Sequence, residues 1–529
     1  MAERSATKFR SKLLLATLFT PYSLSNNWQL ILLSVVCRLL SVYNSLVETS
    51  PLENLRAVRI EKLDKLRSLG VNPFPAKTPV RDKISEVKNQ SLIQAAVTGR
   101  LLGIRGHGKL VFADLRDESG QIQLSFKADV LKKEQFELVK LLDIGDFAWI
   151  AGELFTTTAG ELTILVKDFK LLAKSIRPLP SLHFGLKDEE ERLRQRYVEL
   201  ALDPSLRELF IKKARFWQTM RQFLIDRGFL EVETPVLETT AGGADATPFV
   251  THHDHLDIDV YLRISMGELW QKRLMVGGFE KTFELGRQFR NEGMSREHLQ
   301  DYTQMEFYWS YANYRDSMKL VEELYKEVAQ KTFNTQKFDI GEFSVNLGKK
   351  WETIDYAETI QEKLGIDIFA ASDADLRTKL AKLGISPTVH GSRRHLVDLL
   401  WKQVRHSISG PVFLIGHPVE VSPLAKREES DPRKVERYQV IIAGSDVGNG
   451  YSELNDPLDQ AQRFAEQQRL REGGDLEAQM YDYDFVRALE YRMPPVTGFG
   501  VSERLFAFLA NKPVRECVLF PLLKPGSVE

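Results

Sequence analysis

Cysteine is nearly absent from this chain: 529 residues carry two, Cys37 and Cys517, at opposite ends. That excludes a disulfide framework and a thiolate metal cluster, and it fits a reducing, cytoplasmic setting. Long apolar runs are also missing. The stretches Leu13–Leu18 and Leu30–Val42, the second broken by Arg38, fall short of the roughly 18 to 20 residues that a spanning helix needs, so no stable membrane insertion is expected. Nor is there an excess of one charge. With Lys+Arg 72 against Asp+Glu 73, any nucleic acid must be met by local patches and not by a basic protein as a whole. The 33 glycines and 21 prolines leave no low-complexity stretch. What is present, 43% hydrophobic and 27% charged residues, describes a globular chain long enough for about three or four structural units.

Four regions follow from the patterning. Residues 1–50 are poor in acids, and Arg4, Lys8, Arg10 and Lys12 precede the first apolar run, so they read as a targeting segment or as a dispensable extension. Residues 51–90 open with a basic amphipathic helix, in which Leu55, Val58, Ile60, Leu63 and Leu66 alternate with Arg56, Arg59, Lys62, Lys65 and Arg67; Pro73, Pro75 and Pro79 follow as a linker. Its basic residues read either as a solvated face or as a nucleic-acid handle. Across 91–176, five short segments rich in Val, Ile, Leu and Phe surround one helix near Lys132–Leu142, the pattern of an OB-type β-barrel. Residues 177–529 are α+β, with a buried helical face at Leu209, Phe216, Met220, Phe223 and Leu224 and a helical insertion at 354–410 that has no assigned chemistry.

Polar residues recur at a period of two in three segments: Arg290 and Glu292 in FELGRQFRNEG, Glu306 and Tyr308 in TQMEFYW, and Asn449, Tyr451 and Glu453 in VGNGYSELND. On extended strands each set projects to one side, and the first two segments read as an antiparallel hairpin with a long, charged connection. A guanidinium fork suits carboxylate or phosphate oxygens, whereas Glu306 and Glu453 beside a tyrosine hydroxyl suit a cation. Gly498 and Gly500 read as a turn leading into a helix that delivers Arg504 to the phosphate side.

These segments resemble a known family. GFLEVETPVL, FELGRQFRNEG with TQMEFYW, and GFGVSERLFAFL are similar to motifs 1, 2 and 3 of class II aminoacyl-tRNA synthetases. RPLPSLHFGLKDEEERLRQRYVEL, GGADATPFVTHH, VEVSPLAKR and GNGYSELND resemble the lysyl-tRNA synthetase family in particular, over roughly Leu52 to Pro525. The resemblance implies an anticodon-binding OB barrel ahead of a catalytic domain built on an antiparallel sheet flanked by helices. It implies ATP, L-lysine and tRNA(Lys) as partners, Mg²⁺ as cofactor, and a homodimer with motif 1 and Pro235 at the interface.

Carried onto this chain, Arg290 and Arg504 are the catalytic cations. Glu292, His298 and Tyr302 would hold the adenine end of ATP with them. Gly243, Glu268 and Asn449 would receive the lysine backbone groups, and Glu306, Tyr308, Tyr451 and Glu453 its side-chain ammonium. Arg105, Phe112, Gln123 and Glu161 would read the anticodon. The family commonly carries a glutamate pair for magnesium; Gln439 and Asp446 stand at those positions. Motif 3 is also tighter than usual, and the motif 2 loop reads SREHLQDY. A degenerate or repurposed lysine-adenylating paralogue is the alternative, and an aspartyl- or asparaginyl-type enzyme is disfavoured because an anionic side chain would need a cation where the two glutamates stand.

Overall fold

The computed structural model describes residues 51–89, 93–180, 185–386, 392–475 and 477–525; the targeting or dispensable reading of residues 1–50 lies outside them. The chain divides into two compact units, one up to Phe184 and one from Gly185.

In the first unit, strands β1 (Gln94–His107), β2 (Leu110–Arg116), β3 (Gln121–Lys127), β4 (Phe147–Thr156) and β5 (Leu162–Ala173) close a barrel in the order β1-β2-β3-β5-β4. β3 and β5 pair in parallel and the other neighbours antiparallel. Alternate residues, among them Val97, Leu101, Ala113, Leu115, Ile122, Leu124, Ile150 and Ile164, fill the interior, as a half-buried pleat requires. Helix α1 (Pro51–Ser68) buries Leu63 and Leu66 but leaves Leu55 and Val58 exposed, so its apolar face is narrower than the spacing implies. Its basic residues follow neither expectation uniformly. Arg59 is buried and donates to the carbonyls of Ile144 (2.9 Å) and Arg177 (3.1 Å) and to Ser175 Oγ (3.0 Å), while Lys62 pairs with Asp143 at 2.7 Å. Two of the five cations thus fasten the helix within its own unit. Helix α2 (Lys133–Val139) interrupts the barrel where the single helix is expected.

The second unit is built on an eight-stranded sheet. Its strands are β6 (Leu230–Glu231), β7 (Lys281–Phe289), β8 (Asp301–Ser310), β9 (Glu352–Asp355), β10 (Val412–Ile415), β11 (Arg437–Ile442), β12 (Ser445–Ser452) and β13 (Val496–Ser502), arranged β9-β10-β11-β12-β13-β8-β7-β6. The six central strands run antiparallel, and a parallel pair closes each edge. GFLEVETPVL contributes only Leu230–Glu231 and, to a separate small sheet, Leu237–Glu238, because Pro235 interrupts pairing between them.

One sheet face is dry. Phe283, Met305, Phe307, Tyr438, Val440, Val447, Phe499 and Val501 pack on helix α3 (Pro204–Ile225) through Phe216, Met220, Phe223 and Leu224, and on a later helix, Tyr314–Phe333, through Val321, Leu324, Tyr325 and Val328. Because strands alternate, the intervening residues of β8, β11, β12 and β13 face the other way, into a cleft. The expected helical insertion at 354–410 falls between strands β9 and β10 of the sheet. Parallel neighbours β9 and β10 require a long connection, and three helices supply it, ending with Arg393–Arg405.

Candidate active site

The cleft has a volume of about 350 Å³, and Gly243, Glu268, Arg290, His298, Tyr302, Glu306, Tyr308, Gln439, Asp446, Asn449, Tyr451, Glu453 and Arg504 all line it. Glu292 does not line it. Ladder pairing of β7 ends at Phe289, opposite Asp301, and the Arg290 amide adds one more hydrogen bond to Gln300 (2.7 Å). Beyond that the backbone leaves the strand, so Arg290 and Glu292 do not share a strand face as their spacing implies.

At one end three carboxylates converge. Glu268 opens the helix Glu268–Val276, Glu306 lies on β8, and Glu453 follows the last residue of β12. Glu306 accepts from the Met266 amide (3.0 Å) and Gln304 Nε2 (2.5 Å) on one oxygen and from the Tyr308 hydroxyl (3.1 Å) on the other. Tyr451 donates to Glu268.

The sequence reading missed the group at their centre. Lys272, one helical turn beyond Glu268 and 1% exposed, lies 2.7 Å from Glu268 Oε1 and 2.5 Å from Glu453 Oε2. The Glu453 contact is ionic without hydrogen-bond alignment, which leaves Oε2 a buried acceptor with no aligned donor. One internal ammonium therefore pairs with two of the three acids, and among the described residues no ion pair reaches the third, Glu306.

The titration of the cluster follows from that imbalance. Burial, then the charge of Glu268, push the Glu306 carboxyl up to about 7 against its hydrogen-bond donors. Burial raises Glu453 well above the usual carboxylate range despite Lys272. For Lys272 burial acts downward, but Glu268 and Glu453 outweigh it and the ammonium is held more firmly than usual.

Glycines make room for these groups. Gly498 and Gly500 are not a turn: both lie within β13. A Cβ at Gly498 would stand 2.4 Å from Glu453 Oε1 and 2.6 Å from the Tyr308 ring, and one at Gly500 would stand 3.0 Å from Glu306 Cγ. Gly243 combines φ +85 with a similar constraint, a Cβ there falling 2.5 Å from Ser265 Oγ and 2.9 Å from Glu268 Cβ.

The other end is basic. The Arg290 guanidinium lies 5.8 Å from the Tyr302 ring centre, and its buried Nε has no hydrogen-bond partner. Arg504 contacts Asp446 at 3.3 Å through Nη2 and Glu297 at 3.7 Å. Burial and the charge of Arg504 keep His298 below its ordinary value, so it is a neutral ring in this cleft. Asn449 is fixed by Arg437, which donates to its Oδ1 at 2.8 Å.

Gln439 and Asp446 do not form a magnesium site. Gln439 Oε1 faces His417 Nε2 at 3.2 Å, and that ring is driven well below its usual pKa by burial and by Arg437. Asp446 is paired with Arg405 as well as Arg504; burial alone would raise its carboxyl, but the two cations hold it below the ordinary range. Among the described residues, no group of three His, Cys, Asp or Glu is arranged to hold a metal ion. A neutral amide and a twice-paired carboxylate are the wrong donors for a cation that prefers free anionic oxygens.

On the barrel, Phe112 sits opposite Arg105 across β1 and β2, and Asp114 opposite Gln123 across β2 and β3. Arg105 pairs with Asp114 and donates to Gln123 Oε1 (2.7 Å), which donates in turn to Thr163 (2.9 Å). The hydrogen bond to Asp114, and then the charges of Asp114 and Glu161, raise the Arg105 guanidinium above its ordinary value. Arg105 and Glu161 are exposed and Phe112 and Gln123 half-buried, so the network edges a ring that is open to stacking.

Comparison with known proteins agrees with this geometry. Residues 188–524 match the family described as tRNA synthetases class II (D, K and N), and residues 95–172 match the OB-fold nucleic acid binding domain. The chain is 43% identical over 491 residues to the lysine–tRNA ligase of Thermotoga maritima, covering 90% of this chain and 97% of that protein. It is 42% identical over 489 residues to that of Syntrophomonas wolfei, covering 90% and 98%, and 41% identical over 488 residues to that of Halalkalibacterium halodurans, covering 89% and 97%. With an acidic pocket beside an arginine-lined cleft, and this likeness along nine-tenths of its length, the chain belongs to the lysine–tRNA ligase family of class II synthetases.

Proposed function

We propose that the protein activates L-lysine with ATP and transfers the lysyl group to the 3′-terminal adenosine of tRNA(Lys). The observation that carries the reading is the buried carboxylate cluster: the internal ammonium pairs with Glu268 and Glu453 but not with Glu306, and a ligand with a primary amine supplies the missing cation. A substrate lacking that amine leaves Glu306 and Glu453 uncompensated, and buried polar sites of this type reject such analogues by about 10⁴ to 10⁵.

In the first step the lysine carboxylate attacks the α-phosphorus of ATP in line and pyrophosphate leaves; in the second a ribose hydroxyl of the tRNA displaces AMP from the adenylate. No protein nucleophile takes part. Arg290 and Arg504 meet the phosphoryl charge, and the acidic end fixes the lysine so that its carboxylate reaches the phosphorus. Asn449 and Gly243 would receive the amino-acid backbone, and His298 and Tyr302 would border the base. Magnesium enters as the counter-ion of the nucleotide substrate, since Gln439 and Asp446 offer it no site. Phe112, with Arg105, Gln123 and Glu161, would stack and read an anticodon base. A homodimer and a cytoplasmic setting complete the reading, supported by family likeness; among the described residues no helix is long and apolar enough to cross a membrane.

The test is lysine-dependent exchange of pyrophosphate into ATP without tRNA. Glu306→Gln removes one carboxylate at nearly constant shape, and the exchange KM for lysine should rise at least tenfold, since a charged hydrogen-bonded partner is lost at a cost of about 1.5 to 3 kcal/mol. An unchanged KM removes the ammonium pocket. The altered Gln439 keeps a second reading in view, a lysine-adenylating paralogue with another acceptor; it predicts full exchange but no transfer to tRNA.

A further inference from the structure

The last helix of the connection between β9 and β10 carries two arginines that pair with carboxylates lining the cleft: Arg394 with Asp245 and Arg405 with Asp446. Arg405 is mostly buried, and the Nε atoms of both Arg405 and Arg504 are buried without a hydrogen-bond partner. One carboxylate therefore lies between two guanidiniums that both retain unused donors. With Gln439 neutral, Asp446 and Glu297 negative and Arg405 and Arg504 positive, the region is balanced only because Arg405 is there.

We propose that Arg405 is a positioning residue that substitutes for a protein-held metal ion. It neutralises Asp446, so that the charge of Arg504 stays available for the outer phosphates of ATP. The inference rests on the adenylation reading above and deepens it. Without Arg405, Asp446 would draw on the charge of Arg504, and the phosphate side would lose one of its two cations. The argument is electrostatic, so charge and not shape should govern the outcome.

The experiment measures ATP affinity of the full chain by calorimetry, in EDTA and in excess magnesium, for the wild type, Arg405→Ala, Arg405→Lys and the double variant Arg405→Ala/Asp446→Asn. The wild type should bind ATP in EDTA. Arg405→Ala should bind about tenfold or more weakly there, with magnesium recovering most of the loss, because a bared carboxylate beside a triphosphate attracts the ion. Arg405→Lys should stay within about threefold of the wild type, and the double variant should return to about the same level, since the uncompensated carboxylate is gone. An unchanged Arg405→Ala, a double variant as weak as the single one, or a lysine variant as weak as the alanine one overturns the proposal. A wild type that binds ATP only with magnesium also overturns it, whereas one that binds no ATP under either condition overturns the adenylation reading itself.

Discussion

Glu306 accepts three hydrogen bonds, yet its carboxyl stands near 7 because burial and Glu268 outweigh the donors. An ammonium ligand favours the ionised form, so lysine binding below that pH must expel a proton. The sign follows: affinity should rise with pH up to about 7 and flatten above it, with a slope of no more than about tenfold per pH unit for one proton. Calorimetry in two buffers of different ionisation enthalpy reads the released proton directly, and Glu306→Gln should abolish it. A flat profile between about pH 5.5 and 8 contradicts the assignment. At this scale the acids were legible because a period of two puts Glu306 with Tyr308, and Tyr451 with Glu453, on one side. Lys272 was not. A glutamate and a lysine four apart read as an ordinary surface pair of a helix, and only the fold shows that this pair is buried.

The strand β13 illustrates how an element can be misread while its consequence survives. Two glycines ahead of a helix look like a turn, but here they keep side chains off one face of a central strand whose other face buries Phe499 and Val501. Gly498→Ala should therefore strike the pocket: the added methyl meets Glu453 and Tyr308, and overpacking of about 1 to 3 kcal/mol predicts a lysine KM raised about tenfold. Tm should fall by a few degrees at most if Tyr308 and Glu453 yield. Loss of the whole fold would mean that the contact is structural and not tuned to the ligand. What the helices between β9 and β10 connect was not legible, since a parallel pairing joins strands far apart in sequence.

On the scale of the molecule, each unit has its own dry core, the barrel interior in one and the sheet-helix layer in the other. The two classes of architecture were visible in the switch from short β segments to mixed α+β patterning near residue 177, because that patterning is what a barrel and a helix-backed sheet each require. A division of labour follows. Phe112→Ala should raise the KM for tRNA about tenfold, in keeping with about 1 to 3 kcal/mol for a stacked base, and leave pyrophosphate exchange unaltered. An equal loss in both assays would remove the barrel from anticodon reading.

Because Lys272 already sits among the carboxylates, the protein holds a resident amine of the kind proposed for its ligand. Lys272 thus offsets part of the charge of Glu268 and Glu453 within the pocket itself. Small monoamines then find the easier share of the charge already satisfied. On the proposed reading, a guest that also brings a cation to Glu306 gains the remainder.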